Sequence, residues 1–198
     1  MHLDLNSLGL NSIDPKIIIG AVIVLVIALV AIALAVHQRR KKTAKLRSHF
    51  GSEYDRAVLA HGSRQKAESQ LAELETRVKD LKLRDLTIAE HDKFLAEWQA
   101  AQARFVDFPR SAVTEADELV ANLMVARGYP VSNFDRRAAD ISVNHPRLVQ
   151  NYRFAHAVVV RPAGADATTE ELRAAMLHFR TLFDELLIAQ TAGEVRAA

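Results

Sequence analysis

Polar and charged side chains are most densely spaced between Asp140 and Arg153, and this stretch holds the best candidates for a binding site. The segment Asn144–His145–Pro146 has the composition of a helix start, because proline is tolerated in the first helical turn. The free backbone N–H groups of a helix start attract anions, and arginines lie close in the sequence. The pattern predicts an anion- or small-ligand-binding site whose residues would be Asn144, His145, Arg147 and Tyr152.

A simpler interpretation of the same stretch is that it only completes a helix start. Asp, Ser and Asn side chains most often hydrogen-bond nearby backbone groups at turns and helix N-termini. The sequence leaves both interpretations open.

The eight histidines raise the question of a metal site. A metal site in a helical bundle needs ligands spaced i, i+3 or i, i+4 on facing helices, and His145, His156 and His178 have no acidic partner in such a pair. The chain has no cysteine, which excludes thiolate ligands and thiol catalysis. It also lacks a glycine-rich phosphate loop, a G-x-S-x-G turn and an H-E-x-x-H pair. We therefore predict no metal, no cofactor and no catalytic residue.

An apolar segment near the N-terminus, residues 17–36, reads IIIGAVIVLVIALVAIALAV and carries no charge. At about 1.5 Å rise per residue, a helix of this length spans the roughly 30 Å of a bilayer core. We predict a transmembrane helix at residues 17–36, preceded by a short extracytoplasmic N-terminus at residues 1–16. The alternative is a cleaved signal peptide with Ala33–Leu34–Ala35 as its cleavage pattern, although its apolar core would be unusually long.

The basic residues of the chain are concentrated directly after this apolar segment. Seven of the 26 basic and two of the 24 acidic residues precede Gly51, which leaves 19 basic and 22 acidic residues in the remainder. The remainder is thus mildly acidic, which argues against nucleic-acid binding. The positive-inside rule places the chain after the apolar segment in the cytoplasm. The residues predicted to lie at the membrane surface are Arg39, Arg40, Lys41, Lys42, Lys45 and Arg47.

Residues 37–86 are predicted to form a basic juxtamembrane segment and a stalk helix, with Gly51 and Gly62 as its weak points. The second half of this segment has apolar residues at coiled-coil spacing. They would mediate self-association, or they would pack against the chain's own domain, and the sequence does not separate the two. These seam residues are Ala67, Leu71, Leu74, Val78 and Leu81.

Residues 87–190 have the helix start and stop signals of an antiparallel helical bundle. Residues 191–198 are predicted to form a flexible tail. Thr87 with Glu90, and Thr168 with Glu171, match the capping box of a helix N-terminus. Gly128 followed by Pro130 indicates a helix end. No segment alternates at period two as a strand does, so we predict an all-α protein: a transmembrane helix, a stalk helix and a helical bundle.

Four segments resemble an uncharacterised family of bacterial single-pass membrane proteins of about this length, some of them described as secreted. The segments are HFGSEYDRAV, FVDFPRSAVTEADELVANLMVARGYPV, DISVNHPRLVQNYRFAH and LRAAMLHFRTLFDELL. The similarity extends from about Ser48 to Leu187. It implies a bacterial source and a membrane-anchored helical domain, and it transfers no functional residue.

Together these patterns favour a non-enzymatic interaction or scaffold protein at the inner (plasma) membrane, with its C-terminal domain in the cytoplasm. Its expected partners are the lipid bilayer and a protein, or a second copy of the chain bound through the seam residues. A ligand-binding module and an enzyme of unfamiliar type are the competing hypotheses. Cleavage of the apolar segment would instead make the protein secreted or periplasmic.

Overall fold

The structure, a computed structural model, describes residues 15–162 and 167–188. The described residues form helices and no strand, which confirms the all-α prediction. The expected N-terminal segment up to residue 14 and the expected C-terminal tail lie outside the described residues. The helices are α1 (Pro15–Phe50), α2 (Ser52–His61), α3 (Arg64–Lys79), α4 (Ile88–Arg104), α5 (Pro109–Ala126), α6 (Phe134–Asn144), α7 (Val149–Val159) and α8 (Thr169–Ile188).

The chain divides into two compact units, Met1–Lys45 and Leu46–Ala198. The first unit contains most of α1, including the apolar segment at residues 17–36. Among the described residues, α1 alone is long and apolar enough to cross a membrane, with an 18-residue window of mean hydropathy 3.3. None of that window is buried, so α1 is not the core helix of this fold. A membrane span and a signal sequence share these properties.

In the second unit, the predicted stalk helix is broken at Gly51 and Gly62, the two glycines expected to be its weak points. Gly51 has φ +54 and Gly62 has φ +68, a left-handed region that glycine enters without steric cost. The Gly62 N–H donates to the carbonyl oxygen of Val58 at 3.1 Å and ends α2. Ser63 then starts α3, because its hydroxyl accepts from the Lys66 N–H at 3.3 Å. The predicted stalk is therefore interrupted at its two expected weak points, and α2 and α3 pack against each other as a helical hairpin.

The seam residues of α3 are buried inside the second unit. Leu71, Leu74 and Val78 belong to a small apolar cluster, and Ala67 is fully buried. Leu81 is partly buried against the same cluster. This burial favours packing within the chain over a seam between two chains. The buried members of this small cluster are Leu46, Phe50, Tyr54, Leu71, Leu74, Val78 and Val143.

A larger apolar core lies among α4, α5, α7 and α8. Trp98 of α4 stacks on Phe183 of α8 with ring centroids 4.7 Å apart. Tyr152 and Phe179 are also fully buried there, and aromatic side chains of this size dominate the energetics of a core. The predicted bundle is thus present. The charged side chains considered below lie at its edges and where it contacts the α2–α3 hairpin.

Candidate functional site

The structure places the predicted ligand-binding residues in different surroundings. Asn144 lies in the last turn of α6, and its Nδ2 donates to the Tyr129 hydroxyl at 3.2 Å. His145 directly follows α6, and its backbone N–H donates to the Ile141 carbonyl at 2.7 Å. The segment 144–146 therefore ends a helix, and α7 begins later, after Leu148. The expected helix start at Asn144–Pro146 is therefore wrong, and the anion site predicted there loses the free helix-start N–H groups on which it was based.

The other two predicted residues lie in unlike surroundings. Tyr152 is fully buried, and its hydroxyl accepts from Arg137 Nε at 3.1 Å. Burial raises the pKa of Tyr152 to about 12, so it is a neutral core residue. Arg147 is exposed and lines a shallow groove together with His49 and Gln150. A ligand at Arg147 would not reach the Tyr152 hydroxyl without opening the core.

Two of the histidines considered as metal ligands, His145 and His156, have structural partners. Nδ1 of His145 lies 3.6 Å from Glu185 Oε1, and burial lowers the pKa of His145. Nδ1 of His156 is 2.8 Å from Asp117 Oδ2, and its ring stacks on Phe134 at a centroid distance of 3.6 Å. Within the described residues, no group of three His, Cys, Asp or Glu side chains is placed to hold a metal ion.

The candidate site is instead a cleft of about 380 Å³ between the α2–α3 hairpin and helices α6 and α7, which we name the charged cleft. Apolar side chains, among them Leu71 and Leu74, form part of its lining. Its volume lies in the range of small-molecule pockets. Its charged side chains are Glu53, Arg56, Glu73, Arg77, Asp135, Arg136 and Arg153.

One ion pair joins α7 to α2 inside the charged cleft. Arg153 donates from Nε to Glu53 Oε1 and from Nη2 to Glu53 Oε2, each at 2.9 Å. The side chains are only 13% and 7% exposed, respectively. Arg153 also donates from Nη1 to Asp135 Oδ1 at 3.3 Å and lies 5.8 Å above the Phe134 ring. Two parallel hydrogen bonds between guanidinium and carboxylate combine strength with a fixed geometry.

A second ion pair joins α3 to α6. Arg77 Nη2 donates to Asp140 Oδ1, and the Asp140 side chain is 1% exposed whereas that of Arg77 is 38% exposed. The buried Arg77 Nε has no hydrogen-bond partner in the described part of the chain. Arg77 therefore neutralises a buried carboxylate while its guanidinium reaches the surface of the cleft.

At the rim of the charged cleft, Arg56, Glu73 and Arg136 are exposed to solvent. Arg56 Nε is 3.6 Å from Glu53 Oε1, a carboxylate that Arg153 already holds on both oxygens. The inner carboxylates are thus neutralised within the protein, while the rim presents charges of both signs. This arrangement is able to bind a partner with complementary charged side chains.

This cleft was not predictable from the sequence, for a physical reason. Glu53 and Arg153 are separated by 100 residues, and Arg77 and Asp140 by 63. No local spacing rule connects residues so distant. One usable signal was Asp140, whose neighbours Ile141 and Val143 are apolar, because a carboxylate beside buried residues needs a partner.

Comparison with known proteins gives no match for this chain: no protein-family model, no curated protein and no solved structure matches it. Its function is accordingly inferred from its own residues and geometry.

Proposed function

We propose that the chain is a membrane-anchored interaction or scaffold protein, whose helical unit binds a protein partner at the charged cleft. The observation that supports this most is the cleft itself: its inner charges are neutralised by fixed ion pairs, and its rim carries exposed arginines. Arginine is enriched at protein interfaces, where its planar guanidinium makes several hydrogen bonds.

Catalysis is a weaker interpretation of the same residues. A catalytic cleft commonly holds groups whose pKa is strongly shifted. Among the described residues, the strong shifts have other origins: the pKa values of Glu90 and Glu171 are lowered by arginines and helix caps, and the pKa of Tyr152 is raised by core burial. These three groups lie outside the charged cleft.

The anchor is part of this proposal. The exposed apolar surface of α1 supports insertion into a bilayer, and the basic residues after it support a cytoplasmic location for the second unit. Reporters fused to each end of the chain test the orientation. N-terminal sequencing of the mature protein tests the anchor itself: a start after Ala35 means a cleaved signal and a secreted or periplasmic unit, whereas an uncleaved N-terminal segment supports the anchor.

The cleft suits a partner better than the α3 seam does. Self-association through the seam would require Leu71, Leu74 and Val78 to leave their own core, and each of these side chains is buried there. Exposing one large apolar side chain costs roughly 1.5–3 kcal/mol. A partner bound at the rim of the charged cleft leaves that core intact.

Photocrosslinking in membranes tests the proposed binding surface, with two glutamines as a matched pair. Gln70 is exposed at the cleft and Gln99 is exposed on α4, which does not line the cleft. A photoreactive residue at position 70 is expected to give one discrete adduct, and the same residue at position 99 none. The Arg56→Glu/Arg136→Glu variant should lose the adduct. Recovery of only the monomer from position 70, or equal adducts from both positions, would contradict the proposal.

A small ligand is the second candidate occupant, favoured by the 380 Å³ volume of the cleft. Thermal melting of the full chain in mild detergent, with a panel of small carboxylates, phosphates and amino acids, tests it. A rise in melting temperature that is lost in the Arg56→Glu/Arg136→Glu variant supports a ligand site. An unchanged melting temperature with every compound removes this candidate and leaves the protein partner.

A further inference from the structure

Four consecutive basic residues follow the apolar part of α1 after His37 and Gln38. Arg39, Arg40, Lys41 and Lys42 are exposed and helical, and α1 continues without a break through them. Successive residues of an α-helix are about 100° apart around its axis. Four in a row therefore point in four directions and surround the helix. We name these four residues the basic collar.

The collar lies at a defined distance from the end of the apolar segment at Val36. With about 1.5 Å rise per residue, the Cα atoms of Arg39 to Lys42 lie roughly 4.5–9 Å beyond Val36 along the helix. The headgroup layer on each side of a bilayer core is about 5–7 Å thick. Long basic side chains starting at this depth reach the phosphate groups whichever way the helix is rotated.

The collar has no acidic neighbour to neutralise it. The sequence from Lys16 to Ser52 contains no Asp or Glu, and among the described residues none of the four collar side chains forms an ion pair. Arg47 differs, because its Nη2 lies 3.4 Å from Asp55 Oδ1 within the second unit. Of the six basic residues expected at the membrane surface, Arg47 thus has a protein partner.

We propose that the basic collar binds the phosphate groups of anionic phospholipids and enriches these lipids around the anchor. This inference rests on the anchor of the proposed function. The collar places positive charge at the depth of the negatively charged phosphate groups, on all sides of the helix. This charge complementarity is the basis on which the collar would recognise anionic lipids. The attraction of one Lys or Arg to an anionic membrane surface strengthens binding by up to about five-fold at physiological salt.

The test uses the full chain reconstituted into phosphatidylcholine vesicles with a minor fraction of phosphatidylglycerol. Electron paramagnetic resonance of spin-labelled lipids then gives the ratio of the two association constants at the protein boundary, phosphatidylglycerol over phosphatidylcholine. The wild type is expected to give a ratio clearly above one, and high salt should reduce it. Replacing all four collar residues with glutamine should bring the ratio close to one.

Two matched variants control for charge and chemistry. Arg64→Gln/Lys66→Gln/Lys82→Gln/Lys93→Gln removes the same number of charges from exposed sites of the second unit and should keep the wild-type ratio. Arg39→Lys/Arg40→Lys preserves the collar charge and should also keep it. A collar variant that retains the wild-type ratio, or a wild type with a ratio of one, overturns the lipid proposal. Failure of the wild type to float with the vesicles overturns the anchor as well, so the two failures are distinguishable.

Discussion

Arg153 of α7 holds Glu53 of α2 by two parallel hydrogen bonds of 2.9 Å, across 100 residues of sequence. Both side chains are almost entirely removed from water. A carboxylate in such a place is tolerated only because the guanidinium neutralises it and donates to both of its oxygens. The pair therefore fixes the position of α2 relative to α7 and shapes one wall of the charged cleft.

Arg153→Met should destabilise the second unit by about 3 kcal/mol, because it leaves the Glu53 carboxylate buried without its main partner. Urea unfolding of the full chain in mild detergent measures the loss. The double variant Glu53→Gln/Arg153→Met should recover part of it, since no buried charge remains. Arg173→Met is the control: Arg173 pairs with Glu170 on the exposed face of α8, and its loss should cost less than about 1 kcal/mol. Equal losses for Arg153→Met and Arg173→Met would contradict the prediction.

His145 should make the fold less stable at acidic pH. Burial lowers the pKa of His145 below its usual 6.5, with Glu185 acting in the opposite direction. Near pH 6.5 the imidazole of His145 therefore takes up a proton more readily in the unfolded chain than in the folded one. The stability that the neutral imidazole contributes is complete above that pH and is lost as the pH falls below it. The melting temperature of the wild type should fall from about pH 8 to pH 5, and His145→Gln should flatten that part of the profile.

The matched variant for this pH effect is Glu185→Gln. Removing the carboxylate 3.6 Å from His145 Nδ1 should lower the histidine pKa further, so the loss of stability below pH 6.5 should become larger than in the wild type. A His145→Gln profile parallel to that of the wild type would mean that the imidazole does not contribute.

The capping box of α4 should contribute stability that depends on the ionisation of Glu90. Two guanidinium N–H groups of Arg84 and the backbone N–H of Thr87 donate to the Glu90 carboxylate and lower its pKa from 4.5 to about 2. Because the folded pKa is the lower one, this contribution is complete above pH 4.5 and is lost as the pH falls toward 2. Glu90→Gln should thus melt at a lower temperature than the wild type at pH 7, and the difference should disappear toward pH 2.

Thr87 provides the control for the same cap. Thr87→Ala should cost about 1 kcal/mol at pH 7, whereas Thr87→Ser keeps the hydroxyl and should cost little. Thermal melts of the three variants across the pH range separate the carboxylate from the hydroxyl. A constant difference between Glu90→Gln and the wild type down to pH 2 would rule out the ionised cap.

The two capping boxes were predictable from sequence because each is complete within four residues. Thr87 with Glu90, and Thr168 with Glu171, form both hydrogen bonds of the motif, so those predictions are confirmed. The exposed apolar surface of α1 followed from composition in the same way.

Features that depend on tertiary packing were not predictable. Pro146 suggested a helix start, but the burial of Ile141 and Val143 carries α6 through to Asn144 and displaces the start of α7. The apolar stripe on α3 has the same spacing whether it packs against a second chain or against its own fold. The positions of residues such as Leu71 therefore could not distinguish self-association from packing within the chain. The charged cleft depends on pairs that only the fold brings together, and it was missed.

Among the glycines of the second unit that the structure describes, Gly128 should be the least replaceable. Its φ of +95 is costly for any residue with a Cβ atom, and an added Cβ would lie 2.5 Å from the carbonyl oxygen of Lys82 and 3.3 Å from the Leu83 Cα. The Arg84 N–H donates to the Arg127 carbonyl at 2.9 Å, which keeps these two segments together. Backbone atoms cannot move aside as a flexible side chain can, so strain and steric overlap add.

Gly62 is the matched comparison, since it also has a positive φ, +68, but a Cβ there would meet no atom within 4 Å. Gly62→Ala should therefore cost only the conformational penalty of about 1–2 kcal/mol. Gly128→Ala should add an overpacking cost of about 1–3 kcal/mol to that penalty. Urea unfolding of both variants in mild detergent gives the comparison. If Gly128→Ala is no less stable than Gly62→Ala, the close approach of Lys82 does not constrain this turn, and the connection between α3 and α4 is free to move away from the end of α5.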